Sequence, residues 1–207
     1  MRDDDRAQAF TLEGLMSALL VLLAVLYAMQ AVTTTPGAGE ARESTHRLQQ
    51  EADDVLATVA NDRSRDLSRA VRYWDSEEHT FAGARDRQAG YGDAGPPTDL
   101  FDGVFARTFT ERGYSYNVAL RYRSDAAAGG TGVEHLVNMG PPGEDAVSAT
   151  RTVTLYDNQT LTAPGSGDRE LWEYDTDPSN GEKGFYPIPD VATGPVYNVV
   201  EVRVIVW

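Results

Sequence analysis

The hydrophobic and polar positions divide the chain into a short oily stretch and a longer patterned one. From Ala9 to Val32 the sequence reads AFTLEGLMSALLVLLAVLYAMQAV and carries a single formal charge, at Glu13. The uncharged part, Gly14 to Val32, is nineteen residues long. As a helix rising about 1.5 Å per residue it extends about 28 Å, close to the hydrocarbon thickness of a bilayer. A transmembrane helix is therefore expected over residues 9–32. An acid in such a run costs about 2.5–3.5 kcal/mol at mid-membrane and less near an interface, which makes Glu13 a functional-site candidate by default.

The pattern then changes. Thr33-Thr34-Thr35-Pro36-Gly37-Ala38-Gly39 combines β-branched residues, a missing backbone donor and glycines, so a hinge is expected over 33–39. From Glu40 to about Trp74, Leu48, Ala52, Val55, Val59, Leu67, Ala70, Val71 and Trp74 recur largely at three- and four-residue spacing. That spacing predicts one amphipathic helix whose apolar stripe needs a sheet to cover it. Asp75 to Thr98, with its glycines and paired prolines, reads as a long surface loop. Thr98 to Arg112 reads as a short helix capped by Thr98, with Leu100, Phe101, Val104, Phe105 and Phe109 on one side.

Strand periodicity follows. Tyr116, Val118, Leu120 and Tyr122 alternate with Asn117, Ala119, Arg121 and Arg123, as in a half-buried strand. Val133 to Val137 is a second, shorter candidate. Val147 to Asp157 alternates again, although Arg151 interrupts its apolar face. Val200, Val202, Val204 and Val206 make the clearest strand, and Ile205 and Trp207 add apolar surface to its second face, which predicts a place well inside the sheet. Leu161 to Pro195 is rich in Gly, Pro and Asp and reads as loop. The fold class expected is α+β: a hydrophobic N-terminal transmembrane helix, then an amphipathic helix packed on an antiparallel sheet.

Composition narrows the chemistry. No cysteine is present, so disulfides, thiol nucleophiles and cysteine-ligated metals are excluded and a head outside the cell must be held by its core. Beyond residue 32 there are 28 acids against 16 bases, a net of −12; such a charge repels nucleic acid. From Asp125 onward the balance is 13 acids to 4 bases, so the acidity is concentrated distally. Lys183 is the one lysine among 18 basic residues. An acidic chain with arginine in place of lysine resembles proteins of extreme halophiles, in which excess surface acid maintains solubility in concentrated salt; an acidic domain from a GC-rich genome has the same composition.

The residues ahead of the oily stretch carry a more specific likeness. Arg6-Ala7-Gln8 followed by Ala9-Phe10-Thr11-Leu12-Glu13 resembles the class III signal of archaeal type IV prepilins. In that family a membrane peptidase cuts on the cytoplasmic side of the apolar run. A cut after Gln8 makes Ala9 the new N-terminus and Glu13 the fifth residue of the mature chain, where such pilins carry their glutamate. A cut after Ala9, nearer the bacterial pattern, makes Glu13 the fourth. The new α-ammonium and a carboxylate one helical turn away can pair between neighbouring subunits and fix their axial register.

The resemblance implies a leader over 1–8, an assembly helix over 9–32 with Ala9, Phe10 and Glu13 at its working end, the hinge, and an extracytoplasmic head over 40–207. It also implies a set of partners: a prepilin peptidase, other pilin-like subunits, an assembly platform and the membrane. The leader departs from the usual basic pattern, since Asp3, Asp4 and Asp5 outnumber Arg2 and Arg6. The hinge departs from pilins whose first helix is one continuous rod. A secretory signal peptide fits poorly, because Leu26 with Ala28, or Met29 with Ala31, supplies the wrong residues for a cut at the far end.

Other motifs are weak. Gly90-Tyr91-Gly92-Asp93-Ala94-Gly95 matches GxGxxG but lacks the strand and helix that a dinucleotide site needs. Asp175, Asp177, Asn180 and Glu182 offer oxygen ligands for calcium, yet an EF-hand counted from Asp175 has Asn180 where glycine is required and Tyr186 where glutamate is required; a solvated turn is favoured. His46, His79 and His135 have no zinc-site spacing. Ser166, in Gly165-Ser166-Gly167, lacks the GxSxG elbow, and Asp53 with Asp54, or Glu77 with Glu78, are adjacent acids that point apart. Asn158-Gln159-Thr160 is an N-glycosylation acceptor triplet.

No cofactor, metal or catalytic residue is expected. The chain reads as an assembling subunit, with a membrane-anchored binding module that never polymerises as the alternative and an enzyme third. A polymerising subunit loses residues 1–8; a simple anchor keeps them.

Overall fold

The sheet explains most of the strand pattern. The computed structural model describes residues 3–32, 38–62, 66–101, 103–124, 129–179 and 183–207, with side chains described in residues 13–27 and from residue 43 onward within those ranges, residue 99 excepted. Strands β1 (Trp74–Asp75) and β2 (Thr80–Phe81) form a small hairpin; β3 (Tyr116–Arg123), β4 (Thr131–Asn138), β5 (Val147–Tyr156) and β6 (Val196–Val206) form a four-stranded sheet. All its pairings are antiparallel, in the order β4-β3-β6-β5. The last strand is central, as its two-sided pattern predicts, and backbone bonds of 3.0 Å in both directions between Ser115 and Trp207 tie down its end.

Register sorts the side chains onto two faces. Val118 pairs with Val204, which pairs with Ala149; Leu120 pairs with Val202, which pairs with Arg151. On this inner face Tyr116, Val118, Leu120, Tyr122, Val147, Ala149, Val153, Leu155, Val200, Val202, Val204 and Val206 are all buried. At the shift between Val118 and Ala119, Val137 and His135 oppose successive residues of β3 and Leu136 is the extra residue, so a bulge bends β4 at its outer edge.

Helices cover the inner face. α1 is Asp3–Val32 and α2 is Ala38–Asn61. The chain divides into two compact units, one ending at Ser44 and one running Thr45–Trp207. Within the second unit Leu48, Ala52, Val55, Leu56 and Val59 of α2 are buried in the same core as the sheet. Gln49 Nε2 donates to the Ser148 carbonyl oxygen at 2.8 Å, and Arg151 Nη1 lies 3.5 Å from Asp53 Oδ1. The arginine that interrupts the apolar face of β5 thus meets an acid on the covering helix.

Three expected elements differ. The helix expected over 40–74 is two: α2 ends at Asn61 and α3 (Leu67–Val71) starts afresh, with Asp66 Oδ1 accepting from Arg69 N at 2.7 Å as its N-cap. The cap satisfies an end that an uninterrupted helix would not have. The helix expected over Thr98–Arg112 is likewise broken into α4 (Thr98–Phe101) and α5 (Val104–Thr108), because Gly103 sits at φ 65°; its aromatics are core nonetheless. The loop expected over 75–98 contains the second strand of the β1–β2 hairpin and then lies along the edge of β4, where Tyr91 N donates to Leu136 O at 2.9 Å and Asn138 N to Ala89 O at 3.0 Å.

Of the expected hinge, residues 33–37 lie outside the described residues, and α2 already begins at Ala38. Among the described residues no helix is long and apolar enough to cross a membrane.

Candidate functional site

The described side chains of α1 present apolar surface without a covering partner. Leu15, Met16, Leu19, Leu20, Val21, Leu22, Leu23, Val25, Leu26 and Tyr27 are between 49% and 77% exposed. Successive residues on a helix are about 100° apart, so the unbroken run Leu19–Leu23 alone points in every direction. A helix that is apolar all round belongs in a protein core or in lipid. Glu13 is exposed at the start of this run. Arg6, Ala7, Gln8, Ala9 and Phe10 lie on the α1 backbone, and their side chains are outside the described residues.

In the head, the described residues include a closely bonded charge pair that sequence reasoning missed. Arg87 comes from the loop along β4 and Glu134 from β4 itself. Arg87 Nε lies 3.0 Å from Glu134 Oε2 and 3.2 Å from Oε1, and its Nη2 also donates to Oε1. The Glu134 side chain is 5% exposed. The guanidinium sits 5.0 Å from the Phe185 ring centroid and 5.9 Å from that of Trp74, within cation–π range. The bond to Glu134 raises the Arg87 pKa above its ordinary value, against the opposing effect of burial. Burial, and then the Glu134 charge, push the Tyr122 hydroxyl up to about 12. The sequence shows only an acid within the expected strand 133–137; its place opposite Leu120, on a buried face where it requires a counterion, is set by the register.

The Tyr122 hydroxyl is coupled to Glu134 and the His79 ring centroid lies 4.9 Å from that of Phe185, and the Arg87–Glu134 pair fastens the loop to the sheet. Trp74 Nε1 donates to Phe185 O at 2.9 Å, which ties the same site to the distal loop. Asn198, fully buried, donates through Nδ2 to both Arg123 O at 2.9 Å and Pro189 O at 2.8 Å.

The weaker sequence motifs have structural explanations. Gly90 bridges Val137, and a Cβ there would lie 2.3 Å from Leu136 O and 2.4 Å from His135 O; the first glycine of the GxGxxG match is needed for that approach, not for a phosphate. Asp175 Oδ1 accepts from Asp177 N at 2.9 Å, and Asp177 Oδ1 accepts from Ser179 N at 2.9 Å and Ser179 Oγ at 2.6 Å. These carboxylates build local turns, and the serine hydroxyl bond lowers the Asp177 pKa. Asn180 and Glu182, the other calcium candidates, lie outside the described residues.

Among the described residues no group of three or more His, Asp or Glu side chains is placed to hold a metal. His46 lies on α2, His79 in the β1–β2 turn and His135 on β4. Ser166 Oγ donates to Ala163 O at 2.8 Å, and no described histidine is bonded to it. Asn158 is exposed in the turn after β5, where an acceptor triplet is accessible.

These features define an α+β protein in which helices cover one face of an antiparallel sheet and an apolar helix precedes that head. The chain belongs to a family of unknown function (DUF7288), whose profile matches residues 6–206 and so takes in the apolar helix and the head together. No curated protein and no solved structure matches the chain.

Proposed function

We propose that the chain is a type IV pilin-like subunit. It is inserted in the membrane through residues 9–32, processed after Gln8 by a prepilin peptidase, and assembled with other copies into a surface filament whose core is the bundled apolar helices. The head, net acidic and from an organism of salt-rich surroundings on this reading, faces outward. The observation that carries the reading is the exposure of apolar side chains all round α1 from Leu15 to Tyr27, directly after an acid and an archaeal prepilin-like processing sequence.

Moving such a helix from lipid into a bundle gains little hydrophobic free energy, since both surroundings are apolar. Packing and the charge on Glu13 must therefore direct assembly. The role is structural rather than catalytic: the Arg87–Glu134 pair and the buried tyrosines hold the head together.

Intact-mass measurement of the membrane-extracted chain tests this. A mature N-terminus at Ala9 is expected; retention of residues 1–8 would replace the proposal with that of a permanent anchor carrying a binding module. The same spectrum reports on Asn158, since an attached glycan adds mass that Asn158→Gln removes.

A further inference from the structure

The outer face of the sheet has a charge opposite in sign to the rest of the head. Arg121, Arg123 and Arg203 lie on it against Glu201, whereas the chain beyond residue 32 has a net charge of −12. Arg121, Arg123, Thr131, Thr152, Val199 and Glu201 line a shallow depression of about 360 Å³ there. Among these lining residues Arg121 Nη1 and Glu201 Oε1 are 3.7 Å apart, and Val199 is 46% exposed.

The distal loop carries the complementary feature. Trp172 is 57% exposed, and it is held out by a short 3₁₀ turn rather than by a floppy segment. Leu171 beside it is fully buried, and Glu170 and Glu173 cap the turn reciprocally, Glu170 N donating to Glu173 Oε2 at 2.9 Å. Trp172 Nε1 donates to Glu170 Oε2 at 2.6 Å. Glu170 is therefore bonded to the preorganised indole, and Asp168 and Glu173 lie within four residues of Trp172 in the chain, so its collar in sequence is acidic. Arg169, within that collar, is engaged elsewhere, with its guanidinium 5.3 Å from the Tyr174 ring centroid.

The loop and the depression are on opposite sides of the sheet. Thr162 N donates to Arg72 O at 2.8 Å, Thr162 Oγ1 to Arg69 O at 2.7 Å, and Arg72 Nη1 to Thr160 O at 2.6 Å, so the loop is fastened to the helices over the inner face. Leu171, next to Trp172, is buried in the core on that same side.

We infer that Trp172 and its acidic collar on one copy dock into the arginine-lined depression on the outer sheet face of a second copy. Tryptophan and arginine are the residues that dominate interface energetics, and a guanidinium over an indole face adds attraction. Because the two surfaces differ, the contact is head-to-tail and propagates along an open chain. Its place between heads of a filament rests on the subunit reading above; the contact itself does not. At about 1 M salt the collar–arginine attraction and the long-range self-repulsion are both screened beyond about 3 Å, and the seated indole carries the contact there.

The cysteine-free sequence allows a direct test in the full-length, membrane-inserted chain. Copies carrying Asp168→Cys, with Trp172 retained, are co-expressed with copies carrying Val199→Cys and treated with a short bismaleimide. The 168–199 adduct is expected to exceed both same-site adducts and the adduct with a control copy carrying Glu144→Cys at an exposed loop position. Adding Trp172→Ala should lower it about thirtyfold, the scale of a hot-spot tryptophan, and adding Arg121→Glu with Arg123→Glu should also abolish the excess. A 168–199 yield no higher than the control overturns the contact, and a dominant same-site adduct replaces it with a symmetric one. The N-terminus is read by mass in the same sample. Processing at Ala9 without the specific adduct removes the contact and leaves the subunit reading, whereas a specific adduct between chains that keep Met1 removes the subunit reading and leaves the contact.

Discussion

Arg87 and Glu134 are bound to each other by both ends of a fork, yet they differ in their access to water: the Glu134 side chain is 5% exposed and that of Arg87 43%. This asymmetry decides which partner the fold can lose. Removing one member of a buried pair costs about 3–5 kcal/mol when the survivor is stranded, and an exposed ion suffers much less. Arg87→Ala strands a buried carboxylate and removes the contacts with Phe185 and Trp74, so a loss of about 3 kcal/mol is expected. Glu134→Gln leaves a guanidinium that can turn to solvent, and about 1 kcal/mol is expected. Urea unfolding of the two variants checks the order; equal losses would contradict it.

The buried tyrosines predict an alkaline limit to stability. Tyr116, Tyr122, Tyr186 and Tyr197 are all raised above the ordinary phenol range, with burial the largest cause in each. In the unfolded chain they ionise near pH 10, while in the folded head they keep their protons. Above about pH 10 the unfolded state therefore binds fewer protons, and stability falls as pH rises. Tyr122, held up to about 12, accounts for about 3 kcal/mol of this loss once the pH passes that value. Thermal melts between about pH 8 and pH 12 should show a midpoint that is steady up to about pH 10 and then drops. Tyrosinate absorbance from these four should appear only together with unfolding.

Gly90 predicts a site where a single methyl is not tolerated. Its φ is 58° and an added Cβ would press on two backbone carbonyls of β4 at 2.3 and 2.4 Å, neither of which can swing aside as a side chain does. Gly90→Ala is expected to cost about 3 kcal/mol or to detach the loop from the strand edge. Gly92→Ala is the control, since φ is 53° there and a Cβ would meet nothing within 4 Å; backbone strain alone predicts about 1 kcal/mol. Amide exchange at Tyr91 and Asn138, which bond across this edge, reports the detachment.

How much of this was legible in the sequence depends on the range over which each signal acts. Alternation in β3, β5 and β6 is local, and it located all three strands and the central place of the last. Arg151 showed in that alternation as a defect, but the acid that answers it, Asp53, lies 98 residues away. Arg87 and Glu134 are 47 residues apart, and that separation hid their pairing. Helix breaks were misjudged because periodicity continues across them: Leu67, Ala70 and Val71 keep the stripe of α2 while Asp66 caps a new start. The glycines and prolines of the loop over 75–98 mark turns but say nothing of where the turns dock.

Glu13 gives the prediction that tests the proposed subunit reading, and its role in assembly holds on that proposal. A carboxylate one turn into an oily helix is tolerable at the membrane face as a lone charge, and it is stabilised further if another copy brings an α-ammonium to it. A charge-assisted hydrogen bond is worth about 1.5–3 kcal/mol, which converts to about ten- to more than a hundredfold in the equilibrium for joining a filament. Glu13→Ala is therefore expected to leave the amount of membrane-inserted chain unchanged, because the helix becomes more apolar, and to lower incorporation into surface filaments at least tenfold. Glu13→Gln keeps a polar group but not its charge, and it should also fall well below the parent. Quantifying each variant in membrane and sheared-filament fractions separates insertion from assembly. Incorporation of Glu13→Ala at the parental level would show that no charge on this residue is needed to draw the helices together, and that packing alone sets their register.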